Sequence, residues 1–231
     1  MSATPEKSPG YFGVYFYAVL MALFGAFLGF FYMTTFAAQA FSSQPEYEAS
    51  LEGLEEPIPA PKPGDAYYIE GDVSRTRAWE PKRAQLAAIG AQTVKFTEGE
   101  INAWMTAKFR PGAAPAGEEQ PSVLIVPGVP NVAIAAEGVV YFNLPTTITI
   151  YGATSDFTIS SRCGLSADGL EFHSVSVSSA KVPWPSLLGA EIIGVLAKGY
   201  QSTQEYKIVS DAFARAESVK VEGQELVFNL R

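Results

Sequence analysis

The chain has 231 residues, 24 Asp and Glu against 16 Lys and Arg, and a net charge of −8. That length holds one domain of ordinary size with appendages, and without a basic cluster there is no nucleic-acid footprint. A single cysteine, Cys163, excludes an internal disulfide and reads as a small buried strand residue rather than a reactive thiol.

From Ser8 to Pro45 no residue is charged, and Tyr11 to Phe41 is almost wholly apolar or small. About 20 such residues cross a bilayer as a helix, so residues 11–41 are expected to form a transmembrane helix, with 1–10 as a short cytoplasmic tail. Ala38-Gln39-Ala40 before Phe41 offers an A-x-A signal-cleavage pattern. A signal h-region is only roughly 7–15 residues long, however, and the longer run here favours an uncleaved anchor. Lys7 precedes the span and the first basic residue after it is Lys62. That bias puts the amino terminus in the cytoplasm and the carboxyl-terminal domain outside. Twelve of the chain's 29 aromatic residues lie between Tyr11 and Phe41. Ala18, Ala22, Gly25, Ala26 and Gly29 share one helical face, with Gly25 and Gly29 in a G-x-x-x-G pair. Small faces of this kind let membrane helices approach closely, so other integral membrane subunits are candidate partners.

Residues 42–66 read as an acidic, proline-rich linker. Residues 42–72 hold eight Asp and Glu against Lys62, and Pro45, Pro57, Pro59, Pro61 and Pro63 favour extended geometry and a semi-rigid spacer. The outer domain is expected over residues 67–231, and its residues 73–231 are nearly neutral. Residues 78–90 are expected to form a helix stopped by Gly90. Over KFTEGEINAWMTAKF, residues 95–109, Thr97 and Glu100 form a capping-box pattern, and Ile101, Trp104, Met105 and Phe109 make one apolar stripe. Residues 111–121 read as a loop.

The period then changes to two. Val132-Ile134, Val140-Phe142-Leu144, Ile148-Ile150, Phe157-Ile159 and Leu170-Phe172 predict an antiparallel meander of about four strands over 131–182. The turns are Glu137-Gly138 and Asp168-Gly169. A helix from Pro185 to about Lys198 follows, then one from Ser202 with Glu205 as a second capping box, and last a pair of strands around Glu222-Gly223. The fold class is α+β: one N-terminal transmembrane helix, then an antiparallel sheet packed with helices.

No catalytic pattern is present: no H-x-x-x-H, C-x-x-C, G-x-S-x-G, G-x-G-x-x-G or P-loop. His173 is placed on the strand face of Val175 and Val177, where a lone histidine reads as structural. Asp156, Asp168 and Glu171 fall in one region, and acid–base chemistry requires them in one cleft. The expectation is a non-enzyme with no cofactor and no metal. The remaining feature is apolar: PWPSLLGAEIIGVLAKGY carries charge only at Glu191 and Lys198. Such a helix is either a core element or faces an apolar ligand.

The helix FTEGEINAWM resembles the "T-E-x-E-L-N-x-L" helix of YpmS-like bacterial proteins. KVPWPSLLG resembles their "G-x-L-x-L-P-x-x-L-L" element, with Ala180 near the family's glycine, and VKVEGQELVF their closing "V-x-V-x-D-G-x-L-x-F". The resemblance covers roughly 95–231. It implies a bacterial single-pass protein of the inner membrane with an extracytoplasmic domain, periplasmic in a Gram-negative cell. With the mycobacterial LmeA-type proteins, it also implies a lipid-holding groove lined by Ile101, Trp104, Met105, Leu187, Leu188, Ile192 and Ile193. Trp184 is expected to border the same cavity. The expected function is binding of a lipid or other apolar ligand. The alternative is an accessory subunit of a membrane complex that docks through its transmembrane helix.

Overall fold

The computed structural model describes residues 11–51, 66–109, 122–135, 138–166 and 169–231. An apolar helix α1 (Tyr11–Thr34) precedes an α+β body. The 24 residues of α1 are long and apolar enough to cross a membrane, and none is buried against the body. The helix stops at Thr34, short of the expected Phe41. Thr34 and Thr35 turn their hydroxyls back onto the carbonyls of Phe31 and Tyr32, and the chain then extends into a strand.

That strand, β1 (Gln39–Phe41), pairs in parallel with β2 (Tyr67–Ile69). Between them lies α2 (Gln44–Leu51). Of the linker expected over 42–66, residues 42–51 and 66 are described: α2 takes up its first part, and the strand before it pairs with the strand after it. Pro45 does not break α2, because it falls in the first turn, where no intrahelical N–H is required. The prolines from Pro57 to Pro63 lie outside the described residues. Tyr47 stacks on Tyr67 with ring centroids 3.6 Å apart, and the Tyr141 hydroxyl donates to Gln44 Oε1 at 3.0 Å. Together these aromatics fasten α2 and β2 to the outer face of the main sheet.

That sheet contains β4 (Val123–Pro127), β5 (Asn131–Ile134), β6 (Val140–Ile150), β7 (Ala153–Ser166), β8 (Gly169–Val177) and β9 (Ala180–Lys181), in the order β4-β6-β7-β8-β9. β4 and β5 lie end to end along one edge of β6. Pro127 and Pro130 interrupt what is otherwise one strand, since proline donates nothing to a ladder. β6 is continuous through Pro145, so the two strands expected over 140–150 are one. Tyr151 and Gly152, at φ 46° and 83°, turn β6 into β7 as a two-residue hairpin.

A second, three-stranded sheet has the order β10-β11-β3, from β10 (Ala216–Glu222), β11 (Glu225–Leu230) and β3 (Gln92–Thr97). The final hairpin thus gains a third strand from QTVKFT. The helices α3 (Trp79–Ala87), α4 (Glu98–Lys108), α5 (Ala190–Lys198) and α6 (Gln204–Arg215) also pack with the sheets. The core unites Trp79, Leu86, Phe96, Ile101, Trp104, Leu144, Leu196, Ile208, Ala212 and Phe228.

Candidate apolar-ligand cavity

α4 begins where the sequence places it. Thr97 accepts from the Glu100 N–H at 3.4 Å, and Glu100 accepts from the Thr97 N–H at 2.9 Å, a complete capping box. Three turns of helix follow, directing Ile101, Trp104 and Met105 inward. Asn102, 1% exposed, fixes the same helix to β5: it donates to the Val132 carbonyl at 2.7 Å and accepts from the Val132 N–H at 2.7 Å.

α6 departs from expectation. Its cap is Thr203, which accepts from the Tyr206 N–H at 3.2 Å, and Glu205 forms no capping box. Instead the Glu205 carboxylate receives Arg83 Nε and Nη2 at 2.7 and 2.6 Å and Trp104 Nε1 at 2.8 Å. Burial pushes the Glu205 carboxyl up, but hydrogen bonds from Arg83 and Trp104 and the nearby positive charge outweigh it, and its pKa lies below the usual value. Glu100 behaves likewise: burial opposes ionisation, and Lys82 at 2.6 Å with the capping bonds overrides it.

Between these helices and the inner face of the main sheet lies a cavity of about 300 Å³. Its floor is Val140, Phe142 and Leu144 of β6 with Cys163 and Leu165 of β7. α4 contributes Ile101, Trp104 and Met105. α5 contributes Ile193 and Ala197, and α6 contributes Tyr206, Val209 and Phe213. The polar atoms at the wall are mostly occupied. Trp104 Nε1 is bound to Glu205, and the Tyr200 hydroxyl donates to the Gly128 carbonyl. Burial pushes the Tyr200 phenol up to about 12, so it stays neutral. Cys163 is free and buried, its thiol raised by burial. The cavity has about twice the volume of a ~150 Å³ pocket that accepts benzene, and it sits at the lower limit for small-molecule sites. It fits a ring system or a stretch of acyl chain, not a whole phospholipid.

Of the eight residues expected to border one groove, Ile101, Trp104, Met105 and Ile193 line this cavity. Ile192 packs beside it against the core. Trp184, Leu187 and Leu188 do not line it: they are exposed, Trp184 at 72% and Leu187 at 65%. The reason is local. Residues Pro185–Gly189 form a π-helical turn before α5, and its wider spacing moves LL off the face of the following α-helix. Val209 and Phe213 were not expected to face a ligand; their i, i+4 spacing beside Tyr206 was the available signal. On α1, Gly25 and Gly29 have no atom from the rest of the chain within 4 Å of an added Cβ, and Ala18, Ala22 and Ala26 are exposed with them.

His173 sits at a β-bulge: Arg162 pairs with Ser174 but Cys163 with Phe172. The extra residue gives Phe172 the inner face and turns His173 outward over Gly164, so it does not share the face of Val175. Asp156 accepts from Thr147 Oγ1 at 2.7 Å. Glu171 pairs opposite Gly164, eight residues or about 26 Å further along β7, so these two carboxylates do not share a cleft. Asp168 lies outside the described residues. Among the described residues, no group of three or more His, Cys, Asp or Glu could hold a metal ion. The chain matches no family model, no curated protein and no solved structure.

Proposed function

We propose that the protein is a non-enzymatic, membrane-anchored extracytoplasmic domain whose cavity receives one apolar group, such as a lipid acyl chain. The observation that carries the reading is the roughly 300 Å³ cavity lined by apolar side chains. Such a wall takes apolar surface out of water at about 25 cal/mol per Å². The likeness of the α4, KVPWPSLLG and closing-hairpin motifs to YpmS-like and LmeA-like proteins supports the same reading, as does the apolar α1. Retention of α1 is supported by β1, which would be cut within its pairing to β2 by cleavage after Ala40. The positive-residue bias around α1 supports an extracytoplasmic body and an inner-membrane location. The test is mass spectrometry of the native full chain extracted with its lipid: one defined apolar species at stoichiometric amount is expected, and a chain without any such species refutes the reading.

A second reading has its own observation. α1 is bare along its length, yet its end is tied to the body, the Ser179 hydroxyl donating to the Ala37 carbonyl at 2.8 Å. A helix so placed suits an accessory subunit that packs on another membrane helix through Gly25 and Gly29. Native gels separate the outcomes: migration with other membrane subunits, weakened by Gly25→Leu with Gly29→Leu, supports it, and migration as a lone chain refutes it.

A further inference from the structure

Trp184, Leu187 and Leu188 form an exposed apolar patch on the body. Trp184 has φ 48° and ψ 65°. This is an uncommon conformation for a bulky residue, more so before proline, which biases its predecessor to extended backbone. The local fold thus holds an indole out of the core, although the adjoining α5 buries Leu196 normally.

The position of the patch identifies what it meets. The turn between β8 and β9 is bound to the exit of α1: the Ser179 N–H donates to the Phe36 carbonyl at 3.0 Å, and its hydroxyl to the Ala37 carbonyl at 2.8 Å. Trp184 follows Ser179 by five residues, which span at most about 18 Å. The 24-residue α1 is about 36 Å long, against a hydrocarbon core of about 30 Å. If α1 spans the bilayer, its exit at Phe36 lies at the headgroup level, and the chain from Ser179 keeps Trp184 within that reach of it.

We propose that Trp184, Leu187 and Leu188 insert into the headgroup–acyl boundary of the same bilayer that α1 crosses, resting on the reading of α1 as a membrane span. Tryptophan favours that boundary because its ring is apolar and its N–H polar. Lys181, exposed and three residues before Trp184, reaches the phosphates with its ammonium while its stem covers apolar surface. The body is then seated on the membrane by two contacts, the helix and the patch, which fix its orientation.

The test places an environment-sensitive nitrobenzoxadiazole label on the full-length chain in a Cys163→Ala background, at Leu187→Cys, at Ile89→Cys or, within α1, at Leu23→Cys. The chain is reconstituted in vesicles of phosphatidylcholine and phosphatidylglycerol that carry spin-labelled lipid. Quenching at Leu187 by headgroup-region spin label, without quenching at the exposed Ile89, is the expected result. A Leu187 label that remains in water while the Leu23 label is quenched by mid-chain spin label overturns the patch and leaves the span standing. Loss of quenching at both overturns the span and the proposal with it.

Discussion

Arg83 and Glu205 stand 122 residues apart in the chain and meet in a two-pronged ion pair, 2.7 and 2.6 Å long. The next residue back, Lys82, grips Glu100 at 2.6 Å. Two consecutive cations on α3 therefore hold the N-terminal turns of α4 and α6, two of the helices that wall the cavity. Each carboxylate also suits the positive end of its own helix.

Removing one partner of a buried pair leaves an uncompensated charge, at a cost of roughly 3–5 kcal/mol. Arg83→Met is expected to lose stability on that scale, and Arg83→Met with Glu205→Gln to recover part of it. Equilibrium unfolding of the full chain in lipid nanodiscs measures both. A double variant no more stable than the single would show that the charge left behind is not the cause.

The same carboxylates set the acid limb. Glu205 and Glu100 have folded pKa values below those of the unfolded chain. Their stabilisation is complete above the unfolded value and is lost as pH falls through the folded one. Unfolding midpoints should therefore drop on acidification below the ordinary glutamate range. Glu205→Gln should flatten that dependence while lowering stability at neutral pH.

At the alkaline end the sign reverses. Burial holds the phenols of Tyr47, Tyr67 and Tyr200 at about 12, above the unfolded value of about 10. The folded chain retains protons that the unfolded chain has released, so stability falls as pH rises between these values. Phenolate absorbance should show a late-titrating class, and Tyr200→Phe should reduce it.

Gly71 is a steric requirement rather than a flexible link. A Cβ there would lie 1.9 Å from the Val132 carbonyl oxygen, and the Gly71 N–H and carbonyl both bond to Asn131, at 2.8 and 2.9 Å. Gly71→Ala must move β5 or break these bonds. A loss of at least about 1–3 kcal/mol is expected, the cost of overpacking, read as a lower unfolding midpoint; an unchanged midpoint would show that β5 yields freely.

The local features of this fold were legible in the chain, and its long-range pairings were not. The Thr97–Glu100 capping box is complete within four residues and formed as read. Ser202–Glu205 carries the same pattern, but Arg83 and Trp104 claim the carboxylate and the cap shifts to Thr203. Residues 42–51 read as linker because β1 finds its partner 28 residues on, in β2. The α4 part of the cavity wall was visible as the Ile101–Trp104–Met105 stripe. Trp184, Leu187 and Leu188 were misplaced because a single π-helical turn rotates a face without any composition signal. His173 was misplaced by a bulge for the same kind of reason.

The central claim is that the cavity at Trp104 holds an apolar chain. In the full chain carrying Trp184→Phe, set in lipid nanodiscs, a brominated fatty acid is titrated and tryptophan emission followed. Occupancy brings bromine against Trp104 and quenches it in a saturable way, and Ala197→Phe, which fills the cavity from α5, abolishes that saturable part. Quenching that is linear, or equal in the filled variant, would mean the fatty acid meets tryptophan only from the bilayer and the cavity is empty core.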